Sequence, residues 1–262
     1  MVKRLITRSY LGLVLAFLYA PILVLIAFSF NSIRSMSKWG GFSFKWYADL
    51  FQNETIMNAL WVTVSVALIA ALVATVIGTL AAIGIHGYRR RPQAMVINLT
   101  YLPILNPDIV TGISLMLLFI FVQIPRSYFT LVLAHVTFNV PYVILAVLPK
   151  LRQMDSNMYE AALDLGATPF YALRKVIVPE IMPGIITGAL LALTLSLDDF
   201  VISLFTQTST PNISILVYSM ARRSINPQIN ALSTLLFVTV IALLFIVNRR
   251  VSKDESVKET AP

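Results

Sequence analysis

Residues 160–179 read EAALDLGATPFYALRKVIVP, the longest polar, helix-compatible interval between two long apolar segments. Glu160, Ala161 and Ala162 begin a good helix former. Gly166 interrupts it where a left-handed C-cap fits. Thr168 and Pro169 restart a helix as N-cap and first-turn proline. Arg174 and Lys175 fall in the last turn of that second helix, where cations suit the dipole, and Pro179 is expected to stop it. The residues alone describe a helix, a glycine turn and a short helix on one face of a membrane. The small Ala161 and Ala162 leave room for another surface to approach. An ordinary connecting hairpin would read the same way.

The segments on either side place the chain in lipid. Of 262 residues, 58% are hydrophobic and 12% charged, with mean hydropathy +0.81. A soluble domain carries about a quarter charged residues. There is no cysteine, which removes disulfides, thiolate nucleophiles and cysteine metal sites. With His86 and His135 as the two histidines, no histidine-rich metal site is expected either. No GxxxxGK[ST] loop occurs, so ATP, if it drives this protein, binds another chain. The net charge of +8 reports membrane topology and not nucleic acid.

Six spans are expected, in an all-α integral membrane fold. The first runs from about 9 to 30 behind Lys3, Arg4 and Arg8. It is too long for a typical signal peptide, contains Pro21, and lacks a small-x-small site after it, so it reads as a retained helix. A polar loop over 31–56 carries WGGFSFKWYADLF, whose Trp39, Trp46 and Tyr47 suit an interfacial helix or, on a sharper reading, a docking surface for a partner. The second span, about 57–85, offers the small residues Gly78, Ala81, Ala82 and Gly84 for close packing. The third, about 94–122, is interrupted by Pro103 and Pro107 and should kink or unwind locally, because Pro107 has no backbone donor. The fourth, about 127–148, holds His135, read as an interhelical hydrogen-bonder. The fifth runs from about 183 to 205, a loop covers 206–229, and the sixth spans about 230–247. The expected division is an N-terminal segment 1–8, a permease domain 9–248 containing the polar loop 150–182, and a charged tail 249–262.

Six spans leave both termini on one side. Arg34, Lys38, Lys45, Arg126, Arg222 and Arg223 then fall in loops of the opposite side, and the other 14 of the 20 Lys and Arg share the side of the termini. The positive-inside rule places that majority, the 160–179 stretch included, in the cytoplasm.

Of 12 acidic residues, Asp108, Asp198 and Asp199 lie within expected spans. A carboxylate in hydrocarbon costs roughly 2.5 to 3.5 kcal/mol, and no Lys or Arg lies deep in any span to offset it. Asp198 falls about 21 Å beyond Gly184 on a helix rising 1.5 Å per residue, so the pair sits in the outer half. Successive helical residues diverge by about 100°. Asp198 therefore continues a row with Thr194 and Ile202, and Asp199 one with Ser196 and Ser203. One can line a path while the other holds a neighbouring helix. An acidic lining suits a polyvalent amine of little apolar bulk.

The motif Glu160-Ala161-Ala162, with Gly166 four residues after the second alanine and then Ile177 and Pro179, resembles the EAA loop of binding-protein-dependent ABC transporter permeases. The runs NPDIVTGISL, TLSLDDFVIS and YSMARRSINPQINALSTLL, with FKWY in the first loop, are similar to the polyamine (spermidine/putrescine) permeases of that family over about residues 4–250. The resemblance implies a type I ABC importer (MetI-like) permease fold in the plasma membrane and no enzymatic activity. It implies a second permease subunit, two ATPase subunits that bind the ATP, and an external substrate-binding protein. It places Glu160, Ala161, Ala162 and Gly166 at the ATPase contact and Asp108, Asp198 and Asp199 on the substrate pathway. Other cargoes on the same machine, such as thiamine or iron, remain open. So does an ion-coupled transporter using the aspartates as proton carriers, though it leaves the EAA hairpin unexplained. An intramembrane protease with an Asp108–Asp198 dyad fits poorly, because neither aspartate stands in a glycine-flanked turn.

Overall fold

The computed structural model describes residues 2–35, 37–155, 157–207, 211–223, 227–239 and 241. The distal part of the sixth span and the tail lie outside them. The chain divides into two compact units, Met1–Met57 with Leu216–Pro262, and Asn58–Ile215.

The first unit contains α1 (Val2–Ser29) and α2 (Lys45–Phe51). The loop between them is folded around Asn31, which is 1% exposed. Its Nδ2 donates to the carbonyls of Ser35 and Lys38, and its Oδ1 accepts from the Gly40 N–H. Its own carbonyl accepts from the Trp46 indole. Trp46 is therefore buried in the loop under Arg34 and Lys45 and is no interfacial anchor, contrary to its sequence reading. Trp39 stays half exposed.

In the second unit α3 (Glu54–His86), whose first residues belong to the first unit, leads to α4 (Arg90–Leu105) and α5 (Asp108–Phe121). The expected kink is a break: α4 and α5 are bent by 100°. Asn106, forced out of the helical region by the proline that follows it, is extended at ψ 139°, and Pro107 follows at ψ 137°. α6 (Tyr128–Gln153) starts at a Ser127/Thr130 capping box. Then come α7 (Asn157–Asp164) and α8 (Pro169–Ala172), a π-turn over Leu173–Ile177, and α9 (Val178–Asp198).

Two sequence readings are corrected here. Pro179 does not stop the helix. The π-turn closes the Val178 N–H on the Leu173 carbonyl, and this local widening of the helix lets Pro179 follow directly without ending it. The helix runs unbroken from Pro169 to Asp198. At its other end the fifth span is not continuous to 205. It breaks at Asp199, which is extended at ψ 125°, and restarts as α10 (Val201–Thr206). The expected loop 206–229 contains α11 (Ile213–Arg223), and a further helix, α12, covers 227–239. Asn212 caps α11 by accepting the Ile215 N–H at 3.0 Å. With the helix of the sixth span described only over 227–239, four helices are long and apolar enough to cross a membrane, or five with the broken pair as one span.

The core of the second unit joins α3, α6 and α9 through Ala74, Ala82, Val143, Val147, Ile181 and Ala192. It is built on close backbone approach. A Cβ on Gly78 would lie 2.6 Å from Val143, and one on Gly184 would lie 3.1 Å from the Ala146 carbonyl. Gly188 packs on the Val143 backbone in the same way. Of the small residues expected to pack, Gly78 and Ala82 do so, while Gly84 faces open space.

Candidate functional site

Two places in the second unit carry chemistry. The first is the hairpin at 157–177. α7 ends in a Schellman motif: the Ala167 N–H bonds the Ala162 carbonyl at 3.1 Å and the Gly166 N–H bonds that of Leu163 at 2.9 Å. Gly166 takes φ +87°. Thr168 caps α8 by accepting the Tyr171 N–H. Glu160 and Ala161 are exposed, and Leu165, Phe170 and Tyr171 are 89%, 71% and 57% exposed. Between the two helices lies an open cleft of ≈ 520 Å³, lined by Ala162, Leu165, Gly166, Tyr171 and neighbours. Large apolar side chains on a polar hairpin mark a contact surface. A Cβ at Gly166 would meet nothing within 4 Å, so Gly166→Val acts through the backbone alone. It is expected to cost roughly 1–2 kcal/mol of hairpin order. Faster amide exchange over 157–172, with exchange in α6 unchanged, is the readout.

The second place is where α5, α6, α9 and α10 meet, and the three aspartates sit there in different surroundings. Asp108 is in the first turn of α5, exposed, where the helix dipole favours a carboxylate. Gly112 lies one turn further on the same face. A Cβ there would come within 3.4 Å of both the Ile202 Cα and the Val201 carbonyl of α10. Leu115, Phe119, Phe138 and Ile202 continue that contact. Asp108 thus opens the face of α5 that packs on α10, and Asp198 lies three residues before α10 begins. Asp198 is exposed in the last turn of α9, the negative end of the dipole, where a carboxylate is disfavoured. Among the described residues, neither Asp108 nor Asp198 has a hydrogen bond or ion pair.

Asp199 differs. Its side chain is 7% exposed. Oδ1 accepts the Ile202 N–H at 3.1 Å, and Oδ2 accepts both the N–H and the hydroxyl of Ser203 at 2.7 Å. Nε2 of His135, on α6, lies 3.4 Å from Oδ2 and 3.0 Å from the Ser203 hydroxyl. His135 is thus the interhelical hydrogen-bonder its sequence suggests. One turn along α6, Asn139 donates to the Ser196 hydroxyl of α9 at 2.7 Å. The row expected for Asp199 with Ser203 survives as a helix cap and not as a continuous helical face. Glycines 184 and 188, four apart, and Asn212 carry much of this arrangement. The glycine spacing was legible in the sequence; the partners of Asn212 were not. Among the described residues, no group of three or more His, Asp or Glu side chains could hold a metal ion.

Residues 74–252 match the family described as binding-protein-dependent transport system inner membrane component. The chain is 40% identical over 238 residues to the spermidine/putrescine transport system permease protein PotC of Haemophilus influenzae, covering 90% of this chain and 93% of that one. It is 40% identical over 233 residues to the putrescine transport system permease protein PotI of Escherichia coli, covering 86% and 83%. In fold it is similar to a chain of a bacterial ABC transporter involved in import of the acidic polysaccharide alginate, at TM-score 0.80 and 13% identity over 95% of this chain and 96% of that one. A chain of the bacterial alginate transporter in complex with an alginate pentasaccharide-bound periplasmic protein gives TM-score 0.70 at 19% identity, over 94% and 93%.

Proposed function

The chain belongs to the family of inner membrane components of binding-protein-dependent transport systems, and from that membership we propose that it is the permease subunit of an ATP-driven importer of polyamines, spermidine or putrescine. It is a multi-pass inner-membrane protein, and as a permease it performs no covalent chemistry. The observation that carries the cargo reading is Asp198, an exposed carboxylate at the negative end of α9 with no cation among the described residues. Local structure disfavours it there, and an ammonium group offsets that cost. Asp108, across the α5–α10 contact, supplies a second carboxylate for a cargo with separated amines. The names of the relatives in Haemophilus influenzae and Escherichia coli point to the same cargo class.

Both termini and the hairpin face the cytoplasm in this reading. Glu160, Ala161, Ala162 and Gly166 meet one of two ATPase subunits, with Leu165, Phe170 and Tyr171 as the apolar part of the contact. A second permease completes the pathway, and an external binding protein delivers the cargo. Coupling follows from the helix that runs unbroken from Pro169 to Asp198. At 1.5 Å per residue it is a rod about 45 Å long. Movement of the hairpin as the ATPases close reaches Asp198 through one element, which suits alternating access.

The test is uptake of labelled spermidine and putrescine in cells lacking their own polyamine import and supplied with this chain and its genomic partners. Uptake is expected from the parent chain. Glu160→Ala, an exposed change, should cut the rate while leaving membrane level and cargo KM unchanged. Normal assembly onto an ATPase with no polyamine uptake would overturn the cargo and leave the permease standing.

A further inference from the structure

The cluster of Asp199, His135, Ser203 and Asn212 lies behind the open carboxylates, and its hydrogen bonds close on themselves. The Ser203 hydroxyl donates to Asp199 Oδ2 and accepts from Asn212 Nδ2 at 2.9 Å and from His135 Nε2 at 3.0 Å. That uses its one proton and both lone pairs. The second Asn212 Nδ2 proton goes to the Asp199 carbonyl at 2.9 Å, and Asn212 Oδ1 caps α11. The carboxylate of Asp199 receives three donors at 3.1 Å or less, and His135 Nε2, whose one proton goes to Ser203, stands 3.4 Å from its Oδ2. An incoming ammonium would find little free acceptor there, and the side chain is 93% enclosed by its 7% exposure. Groups on α6, at the α9–α10 break and at the start of α11 therefore converge on one residue, and what they fix is its extended backbone at ψ 125°. That backbone ends α9 at Asp198. A second polar contact joins α6 to the end of α10, where the Thr130 hydroxyl has the Thr206 carbonyl at 3.2 Å beside that of Ser127 at 2.9 Å.

We propose that Asp199, His135, Ser203 and Asn212 are positioning residues: they hold the helix break that sets Asp198 and, through the α5–α10 contact at Gly112, Asp108, and Asp199 itself does not bind cargo. The inference rests on the polyamine reading for the identity of the cargo, but the break and its ties stand without it.

Two measurements on the chain assembled with its partner subunits test it. In the first, the KM for spermidine uptake is compared for His135→Ala in the parent and in an Asp198→Asn background. Loss of a donor to this network is expected to raise KM about tenfold in the parent. If His135 acts through Asp198, the same change raises KM less than about twofold once Asp198 is neutral. His135→Gln, which keeps an N–H donor, should restore most of the parent KM. An equal factor in both backgrounds, or no effect in the parent, overturns the proposal. The second measurement needs no cargo. The chain has no cysteine, so with cysteine-free partners Asp108→Cys/Asp198→Cys can be spin-labelled. The distance distribution between the labels should be narrow and should broaden with His135→Ala or Asn212→Ala. An unchanged distribution overturns positioning. If none of the His135, Ser203 and Asn212 variants assembles, the cluster holds the whole fold and the proposal falls. Parent complexes that import no polyamine would sink the cargo reading alone, because the spin-label result is independent of it.

Discussion

Gly184→Leu is expected to destabilise the assembled protein by about 3 kcal/mol, near the upper end of overpacking costs. The reason is the kind of atom that stands in the way. A Cβ at Gly184 would lie 2.9 Å from Lys150 Cγ, which can move, but also 3.1 Å from the Ala146 carbonyl and 3.2 Å from the Val147 Cα, which cannot move without α6. In lipid there is no hydrophobic gain to hold two helices together, so contact at this distance is the main attraction between them. A leucine would force α6 and α9 apart along the seam that also carries Gly188 against Val143, and Asn139 against Ser196. Thermal unfolding in detergent should fall by roughly 6–12 °C. Gly184→Ala should fall less, because a methyl asks the neighbour to give by a few tenths of an ångström. An unchanged melting temperature for the leucine variant would mean that the two helices do not pack through this seam.

Asp198→Asn is expected to raise the spermidine KM about 10- to 100-fold, the loss of one hydrogen bond between charged groups. The change is nearly isosteric, and Asp198 is exposed with no hydrogen bond among the described residues. The fold should not notice, and the loss should appear in cargo affinity. Asp108→Asn should act in the same direction and more weakly on the fold than on uptake, since the dipole at the start of α5 favours its charge only by about 0.3–1 kcal/mol. Asp199→Asn should behave differently. It replaces a buried carboxylate oxygen that accepts hydrogen bonds from Ile202 and Ser203, and leaving a buried donor without its acceptor costs roughly 1–3 kcal/mol in stability. Uptake kinetics at matched membrane levels, set beside thermal unfolding, separate the two classes. If Asp198→Asn melts early and keeps its KM, the assignment of roles to the two neighbours is reversed.

Residue types and spacing determined most of the architecture. Long apolar runs dictated membrane helices because lipid offers no partner to a free backbone. Gly166, Thr168 and Pro169 dictated the hairpin, because each satisfies a local backbone requirement that needs no distant partner. Pro107 dictated a break in the third span for the same local reason. The tertiary structure decided what depends on partners far apart in the chain. Pro179 looked like a stop and is carried through by a π-turn, beside which Ile177 and Ile181 are buried in the same core cluster as Val147 and Leu151 of α6. Asp198 and Asp199 looked like neighbours on one helix. Only the approach of His135, 64 positions upstream, and of Asn212, beyond a loop, shows that one is enclosed and the other open. Adjacent carboxylates have the same local propensity, and what separates them is which finds donors in three dimensions. That is a property of packing, and no local pattern encodes it.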